Sequence, residues 1–262
     1  MNILDKIVAK KRTEVENSKR ARSISELQDG PFFKNETLSF KKYLLRTDRT
    51  GIIAEFKRKS PSKGILNDTS TVREVTGSYS KYGASGISIL TDNDFFGGSL
   101  KDLLEATINE VPLLRKDFII DEYQLFESKA YGAEVILLIA ACLGIGEVKN
   151  LAAIAKSIGL NVLLEIHNED QLEYICDDVD VVGVNNRDLK TFSVDVNRSI
   201  QLGEKIPAGT IKISESGIDN VQTIKLLRTH GYSGFLIGEL FMREKDPGLA
   251  FKNFTEALKK EP

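Results

Sequence analysis

IIAEFKRKSPSKG, residues 52–64, begins as an apolar strand and ends in a Ser-Pro-Ser-Lys-Gly turn. Glu55 and Lys57 stand two positions apart, so on a strand they share a face. If that face is a core face, a carboxylate and an ammonium are being taken out of water, which is costly unless they are paired or used. Two readings fit: a satisfied ion pair closing a strand, or an acid–base pair at the mouth of a sheet or barrel. A solitary pair favours the first. The balance shifts to the second because apolar runs that end in polar residues recur downstream.

Such runs fall at 86–90, 111–114, 134–139, 162–166, 179–184, 211–214 and 235–237, eight with the first at 52–56. Helix-like segments separate them, at 70–82, 99–109, 121–131, 145–158, 169–176, 196–205, 219–230 and 247–260. Ser99, Asp121 and Asp219 suit N-caps, and Gly83, Gly132, Gly159 and Gly231 suit the residue just past a helix. Several runs are continuously apolar, as parallel strands covered on both faces are. Strict alternation of strand and helix means parallel βαβ units. Eight of them between residues 51 and 262 predict a closed (β/α)8 TIM barrel, a fold of about 250 residues. A doubly wound open sheet is the alternative, weakened by the count and by the absence of a GxGxxG turn after the first strand.

Ahead of the barrel, Ile3, Leu4, Ile7, Val8 and Val15 fall at helical spacing and predict an amphipathic helix over 3–20. The stretch 23–50 is mixed, with a break at Gly30-Pro31 and a short helix that Ser39 would cap, running to Arg46. The prediction is one TIM-barrel domain over 1–262, with 1–50 a helical extension and 51–262 the barrel.

With 262 residues, 41% hydrophobic and 28% charged, the chain can bury a full core. Its 36 basic and 38 acidic residues give a net charge of −2, so no strong field marks nucleic acid or an anionic membrane as its main partner. The basic runs at 10–12 and 19–22 are interleaved with Asp5, Glu14 and Glu16 and read as a solvated helix face. Cys142 and Cys176, and likewise His167 and His230, are too scattered for a metal site or a disulfide framework. No stretch approaches the roughly 20 apolar residues of a membrane span, and the expectation is a cytoplasmic protein.

Barrels of this class place their chemistry at the C-terminal ends of the strands. The expected ends read Glu55-Phe56-Lys57 followed by Ser60; Arg115-Lys116-Asp117-Phe118; Glu165-Ile166-His167; Asn185-Asn186-Arg187; Ser214-Glu215-Ser216-Gly217; and Gly238-Glu239. Each alone is an ordinary polar strand end. Together they bring lysines, glutamates, an Asn and an Arg to one mouth. Gly217 and Gly238, with Ser216 and Glu239, follow the seventh and eighth strands, where barrels commonly hold a phosphate against backbone N–H groups; simple turn glycines are the alternative. A partly buried lysine can have a lowered pKa and act as a general acid, and a glutamate in the same mouth can be raised into the range of a base. Phe96, Phe118 and Leu137 are singly core or loop residues, and jointly the lining of a slot for an aromatic ring. Residues alone thus reach a metal-free acid–base enzyme acting on a phosphorylated small molecule.

The chain also resembles the indole-3-glycerol phosphate synthase family. AEFKRKSPSKG, LLRKDFI, LLEIHNEDQLE, VGVNNRDLKTF, SESGI and FLIGELFM are similar to that family's segments on strands 1, 3, 5, 6, 7 and 8, in order. The resemblance implies ring closure, decarboxylation and dehydration of 1-(2-carboxyphenylamino)-1-deoxyribulose 5-phosphate, an anthranilate-derived sugar phosphate. It implies no metal or organic cofactor, and a monomer or weak homodimer. By match of motif, Lys116 is the general acid, and Glu165 and Lys57 serve the dehydration. Glu55 and Asn185 shape the site; Arg187 and Glu215 support it; Ser60 and Ser216 bind substrate; Gly217, Gly238 and Glu239 fall at the phosphate loops. Some family members carry Ser at position 239, where only the backbone N–H is needed, so the Glu239 acid is expected to point away. The chain has no tryptophan, so any lid must be Phe, Tyr or an aliphatic residue of the first helix. Two rivals are a Schiff-base lyase with Lys116 or Lys57 as nucleophile, and a barrel that only binds a phosphorylated ligand.

Overall fold

In the computed structural model, which describes residues 3–189 and 191–260, the apolar runs close into a barrel. The first and last two residues of the chain, within the expected 1–262 domain, and position 190 of the VGVNNRDLKTF motif lie outside the described residues. The strands are β1 (Ile52–Phe56), β2 (Gly86–Leu90), β3 (Leu113–Lys116), β4 (Val135–Ile139), β5 (Asn161–Ile166), β6 (Val181–Asn185), β7 (Ile211–Glu215) and β8 (Gly234–Ile237). Each pairs in parallel with its neighbours in chain order, and β1 closes against β8 through Ile52–Phe235 and Ala54–Ile237.

The two-residue period of a strand sorts the side chains. Ile53, Leu114, Leu137, Leu163, Val181 and Ile213 belong to one buried cluster that fills the barrel. Their neighbours Ile52, Ala54, Leu113, Ile136, Leu164 and Val182 belong to another, against the surrounding helices. On β1, β3, β5, β6 and β7 the last inward-facing position is polar and stands above this apolar interior. That is why Glu55, Lys116, Glu165, Asn185 and Glu215 all meet above the same core.

The first 50 residues form α1 (Ile3–Ala21), α2 (Ile24–Gln28) and α3 (Phe40–Leu45). Ser39 caps α3 by accepting from the Lys42 N–H. Phe40 and Leu44 of α3 join the interior cluster from below. The strands make room for them: a Cβ on Gly86 would lie 3.2 Å from the Phe40 ring, and one on Gly234 2.9 Å from Leu44 Cδ2. Both glycines open their strands, so α3 plugs the end of the barrel opposite the polar mouth. Meanwhile α1 is anchored along the helix Tyr123–Ala130, where the Tyr123 hydroxyl donates to the carbonyls of Ser18 and Arg22, both at 3.0 Å.

Some expectations need correction. The third strand starts and ends two residues later than 111–114, so Lys116 is its last residue. The segment 169–176 is a 3-10 helix, Glu169–Tyr174. Asp121 stands one residue ahead of the cap position at Glu122 and still accepts from the Tyr123 N–H at 2.9 Å, and Asn220 rather than Asp219 accepts from Thr223 N. Within 23–50, Ser23 and Glu26 make a reciprocal capping box for α2. The basic run at 10–12 is not uniformly solvated: Lys11 is 4% exposed and lies on a buried stripe with Ile7 and Val15.

Candidate active site

On β1 the inner face reads Ile53, Glu55, and then Lys57 just past the strand end. Glu55 is 4% exposed, and Lys57 Nζ donates to its Oε1 at 2.6 Å. Across the mouth, Lys116 Nζ lies 3.3 Å from Glu165 Oε2 and 3.7 Å from Glu215 Oε2. Gly183 of β6 has to be small here, because a Cβ would fall 2.3 Å from Glu215 Oε1.

Electrostatics separate these groups in a way the sequence reading had reversed. Burial acts to lower the Lys116 pKa, but Glu165, Glu215 and Glu55 outweigh burial and raise it above the ordinary lysine range. Burial also acts to raise Glu165, and here Lys116, His167 and Asn185 prevail, holding it below the usual carboxylate value. For Glu215 the Lys116 ammonium also acts to lower the pKa, but it does not prevail. Burial, then the nearby Glu165 and Glu55 carboxylates, push it up to about 8. Three carboxylates around one ammonium cannot all stay ionised cheaply, and Glu215 is the one that keeps its proton. Its Oε1 is buried without a hydrogen-bond partner.

His167 Nε2 sits 3.4 Å from Glu165 Oε1. Burial, aided by Arg198 and Lys116, outweighs Glu165 and lowers its pKa, so the ring is neutral at pH 7 and can donate to Glu165 without adding charge. Cys142 is a thiol pushed up to about 12 by burial and Glu165, and carries no nucleophile at neutral pH.

These groups face one cavity of about 160 Å³. Glu55, Lys57, Ser60, Lys116, Glu165 and Asn185 line it together with Arg187, Glu215, Ser216 and Glu239. Phe96, Phe118 and Leu137 supply its apolar side, with the two rings 6.2 Å apart. Its roof is made by Ile3, Leu4 and Ile7 of α1. Sequence reading had not drawn in Phe192 or Leu189 of the loop after β6, which also line the cavity. For α1, the apolar stripe was legible but not its destination.

Beside it opens a hollow of about 620 Å³ that reaches Gly217 and Gly238 and shares Lys57, Arg187 and Ser216 with the first. Lys63 and Arg243 add two cations that no motif or spacing singles out. Ser216 and Gly217 have φ of 68° and 74°, a consecutive left-handed pair that turns the chain sharply over the hollow. Glycine takes that conformation readily, while Ser216 needs outside support. Asn186 provides it: its Nδ2 donates to the Ser216 carbonyl and to Ser214 Oγ, both at 3.0 Å, and its Oδ1 accepts from Ser199 Oγ at 2.8 Å.

Two expectations at this end change. The Glu239 carboxylate does not point away: its Oε2 lies 3.5 Å from Arg187 Nη2 and its Oε1 3.8 Å from Lys63 Nζ. Gly238 has a packing reason to be glycine, since a Cβ would fall 2.6 Å from Glu55 Oε1.

Among the described residues no group of three or more His, Cys, Asp or Glu side chains is placed to hold a metal ion. No helix of the described residues is long and apolar enough to cross a membrane.

Comparison with known proteins follows the geometry. Residues 4–254 match the family model for indole-3-glycerol phosphate synthase. The chain is 48% identical over 258 residues to the indole-3-glycerol phosphate synthase of Bacteroides thetaiotaomicron, covering 98% of this chain and 99% of that one. It is 40% identical over 264 residues to that of Salinibacter ruber, covering 99% and 97%. Among solved structures, the tryptophan synthase complex of Pyrococcus furiosus aligns with a TM-score of 0.60 at 14% identity, covering 81% of this chain and 99% of that one, a likeness of fold alone. Identity of this extent along nearly the whole length, on a closed barrel with this charged mouth, means that the chain belongs to the indole-3-glycerol phosphate synthase family of carboxy-lyases.

Proposed function

We propose that this mouth closes an indole ring. The substrate is 1-(2-carboxyphenylamino)-1-deoxyribulose 5-phosphate, and the products are indole-3-glycerol phosphate, carbon dioxide and water. The observation that carries the reading is the pair of couples between a half-buried lysine and a buried glutamate, Lys57–Glu55 and Lys116–Glu165, facing one cavity that is apolar on one side and cationic on the other. An aromatic acid joined to a sugar phosphate has the same division.

The aromatic ring lies against Phe96, Phe118 and Leu137 beneath α1. The phosphate lies over the turn at Ser216 and Gly217, near the β8 end at Gly238 and Glu239. Ser60 and Ser216 hold the substrate by hydrogen bonds, and Arg187 holds its negative charge. The ring carbon bearing the carboxylate attacks the ketone carbon, forming the new bond. The ketone oxygen gains negative charge and takes a proton from Lys116, whose ammonium is kept charged by its three carboxylate neighbours. The carboxylate leaves as carbon dioxide, its bonding electrons returning to the ring, where the adjacent iminium accepts them. Loss of water then completes the indole: Lys57 protonates the departing hydroxyl and Glu165, held ionised, removes the proton from the neighbouring carbon. Glu55 and Asn185 fix Lys57 and Glu165, and the protonated Glu215 donates to Glu165.

A lysine held charged is a poor amine nucleophile, which argues against the Schiff-base alternative. Two free cysteines fit a reducing cytoplasm, and the same reading includes a monomer or weak homodimer. Turnover of the carboxyphenylamino-deoxyribulose phosphate by purified protein, with a chelator present, is read by the fluorescence of the indole product. Product formation is the expected result. Saturable binding without product would leave a binding barrel, and neither binding nor product would remove the substrate.

A further inference from the structure

The buried stripe of α1 is Ile7, Lys11 and Val15, spaced four apart. An ammonium on the apolar stripe of a helix demands partners. Lys11 Nζ has three: Glu14 Oε2 at 2.6 Å, Asp117 Oδ1 at 2.9 Å and Asp92 Oδ2 at 3.0 Å. Asp92 and Asp117 are 1% and 3% exposed. The Asp92 oxygen has no other partner.

These aspartates sit at two consequential places. Asp117 follows Lys116 directly. Its Oδ1 also accepts from the Phe118 N–H at 2.8 Å, and its Oδ2 accepts from Thr91 Oγ1 at 2.6 Å and pairs with Arg115 at 3.1 Å. Arg115 in turn reaches Glu127 at 2.8 Å. Asp92 caps the short helix Asn93–Phe96, accepting from the Phe95 N–H at 2.8 Å, and that helix ends in Phe96. One ammonium therefore ties the roof helix to the strand end carrying Lys116 and Phe118 and to the loop carrying Phe96. The roof residue Ile7 is one turn away from it.

We propose that Lys11 is a positioning residue for the reaction: it pins α1 over the cavity and fixes Asp117, and through it the end of β3 from which Lys116 donates its proton. The inference rests on the proposed role of Lys116. Lys11 does not itself line the cavity, and of its two aspartates only Asp117 does, between Lys116 and Phe118, so Lys11 acts through Ile3, Leu4 and Ile7 on one side and through Asp117, Lys116 and Phe118 on the other. A purely structural lysine would lower the melting temperature and leave kinetics intact at temperatures where the protein is folded. A positioning lysine also moves kcat and KM there.

The test compares unmodified protein with Lys11→Met, which keeps the volume and removes the charge, and Lys11→Arg, which keeps the charge. Turnover of the carboxyphenylamino-deoxyribulose phosphate is measured well below each variant's melting temperature. Lys11→Met is expected to lower kcat by at least about tenfold and to raise KM severalfold, with Lys11→Arg recovering part of both. A folded Lys11→Met with kcat and KM within about twofold of the unmodified protein overturns the inference. Should Lys11→Met not fold, amide hydrogen exchange on the unmodified protein decides. Addition of indole-3-glycerol phosphate is expected to protect the first two turns of α1 together with residues 117–118, and protection of 117–118 with α1 unchanged overturns the pin. Absence of turnover by the unmodified protein is a different failure, that of the proposed reaction itself.

Discussion

Residue by residue, the mouth sorts its charges by competition between burial and neighbours. The sequence reading took a buried lysine to be a weakened cation and its glutamate a strengthened base. Lys116 has moved the other way because three carboxylates surround it, and the raised glutamate is Glu215. Strand-end residues were legible because the period of two places them, but their protonation depends on how many like charges converge, which no single strand reports. Lys116→Ala is expected to lower kcat by at least about a hundredfold, the usual scale for losing a general acid, with the barrel still folded. Near-normal turnover would remove Lys116 from that role. Glu215 makes a separate prediction about pH. The folded chain keeps its proton up to about 8, whereas the unfolded chain releases it near 4.5. Between those values the folded state binds more protons, so this group's contribution to stability falls as pH rises. Glu165, lowered by folding, works oppositely, and its contribution is lost as pH falls through its folded value. Glu215→Gln keeps a donor toward Glu165 and removes the titration. Its melting temperature is therefore expected to gain on that of the unmodified protein from about pH 5 to about pH 9. A constant difference across that range would show that Glu215 is not held protonated.

Elements were legible where period and length agreed and less so where a tertiary partner decides. The strands were found because each is a largely apolar run of strand length set between helix-like segments. The short helices Asn93–Phe96 and Glu239–Met242 were not, being four residues each and without a period to show. Lys11 was misread because its neighbours in sequence are charged, although its spacing from Ile7 and Val15 already put it on the buried stripe. The helix that opens at Glu239 raises the next question. Its carboxylate faces Arg187 and Lys63, two cations lining the hollow assigned to the phosphate. An anion of the protein's own at that position competes with the substrate's. Half-exposed pairs of this kind are worth about 0 to 1 kcal/mol. Glu239→Ser is therefore expected to tighten inhibition by inorganic phosphate by up to about fivefold, with kcat little changed. Weaker inhibition would mean that the carboxylate supports the cradle rather than competing for it.

Across the whole molecule the barrel divides its tasks between two ends. Apolar inward positions fill the lower interior, and α3 seals it with Phe40, which is 0% exposed, and Leu44. The upper end carries the buried charges, which cost stability rather than supply it unless each is paired. If this division holds, the lower end should be changeable with no chemical consequence. Phe40→Ala removes a fully buried ring from a space bounded by Gly86 at the start of β2 and hydrogen-bonded through the Phe40 N–H to Asn161 at the start of β5. Large aromatic deletions of this kind cost about 3–5 kcal/mol. Because the ring touches the strand starts, the loss should appear in the denaturation midpoint of Phe40→Ala while kcat and KM, measured under folding conditions, stay within about twofold. A comparable fall in kcat at unchanged fold would mean that the register of the strands transmits the state of the plug to Lys116 and Glu165, and that the two ends are mechanically one.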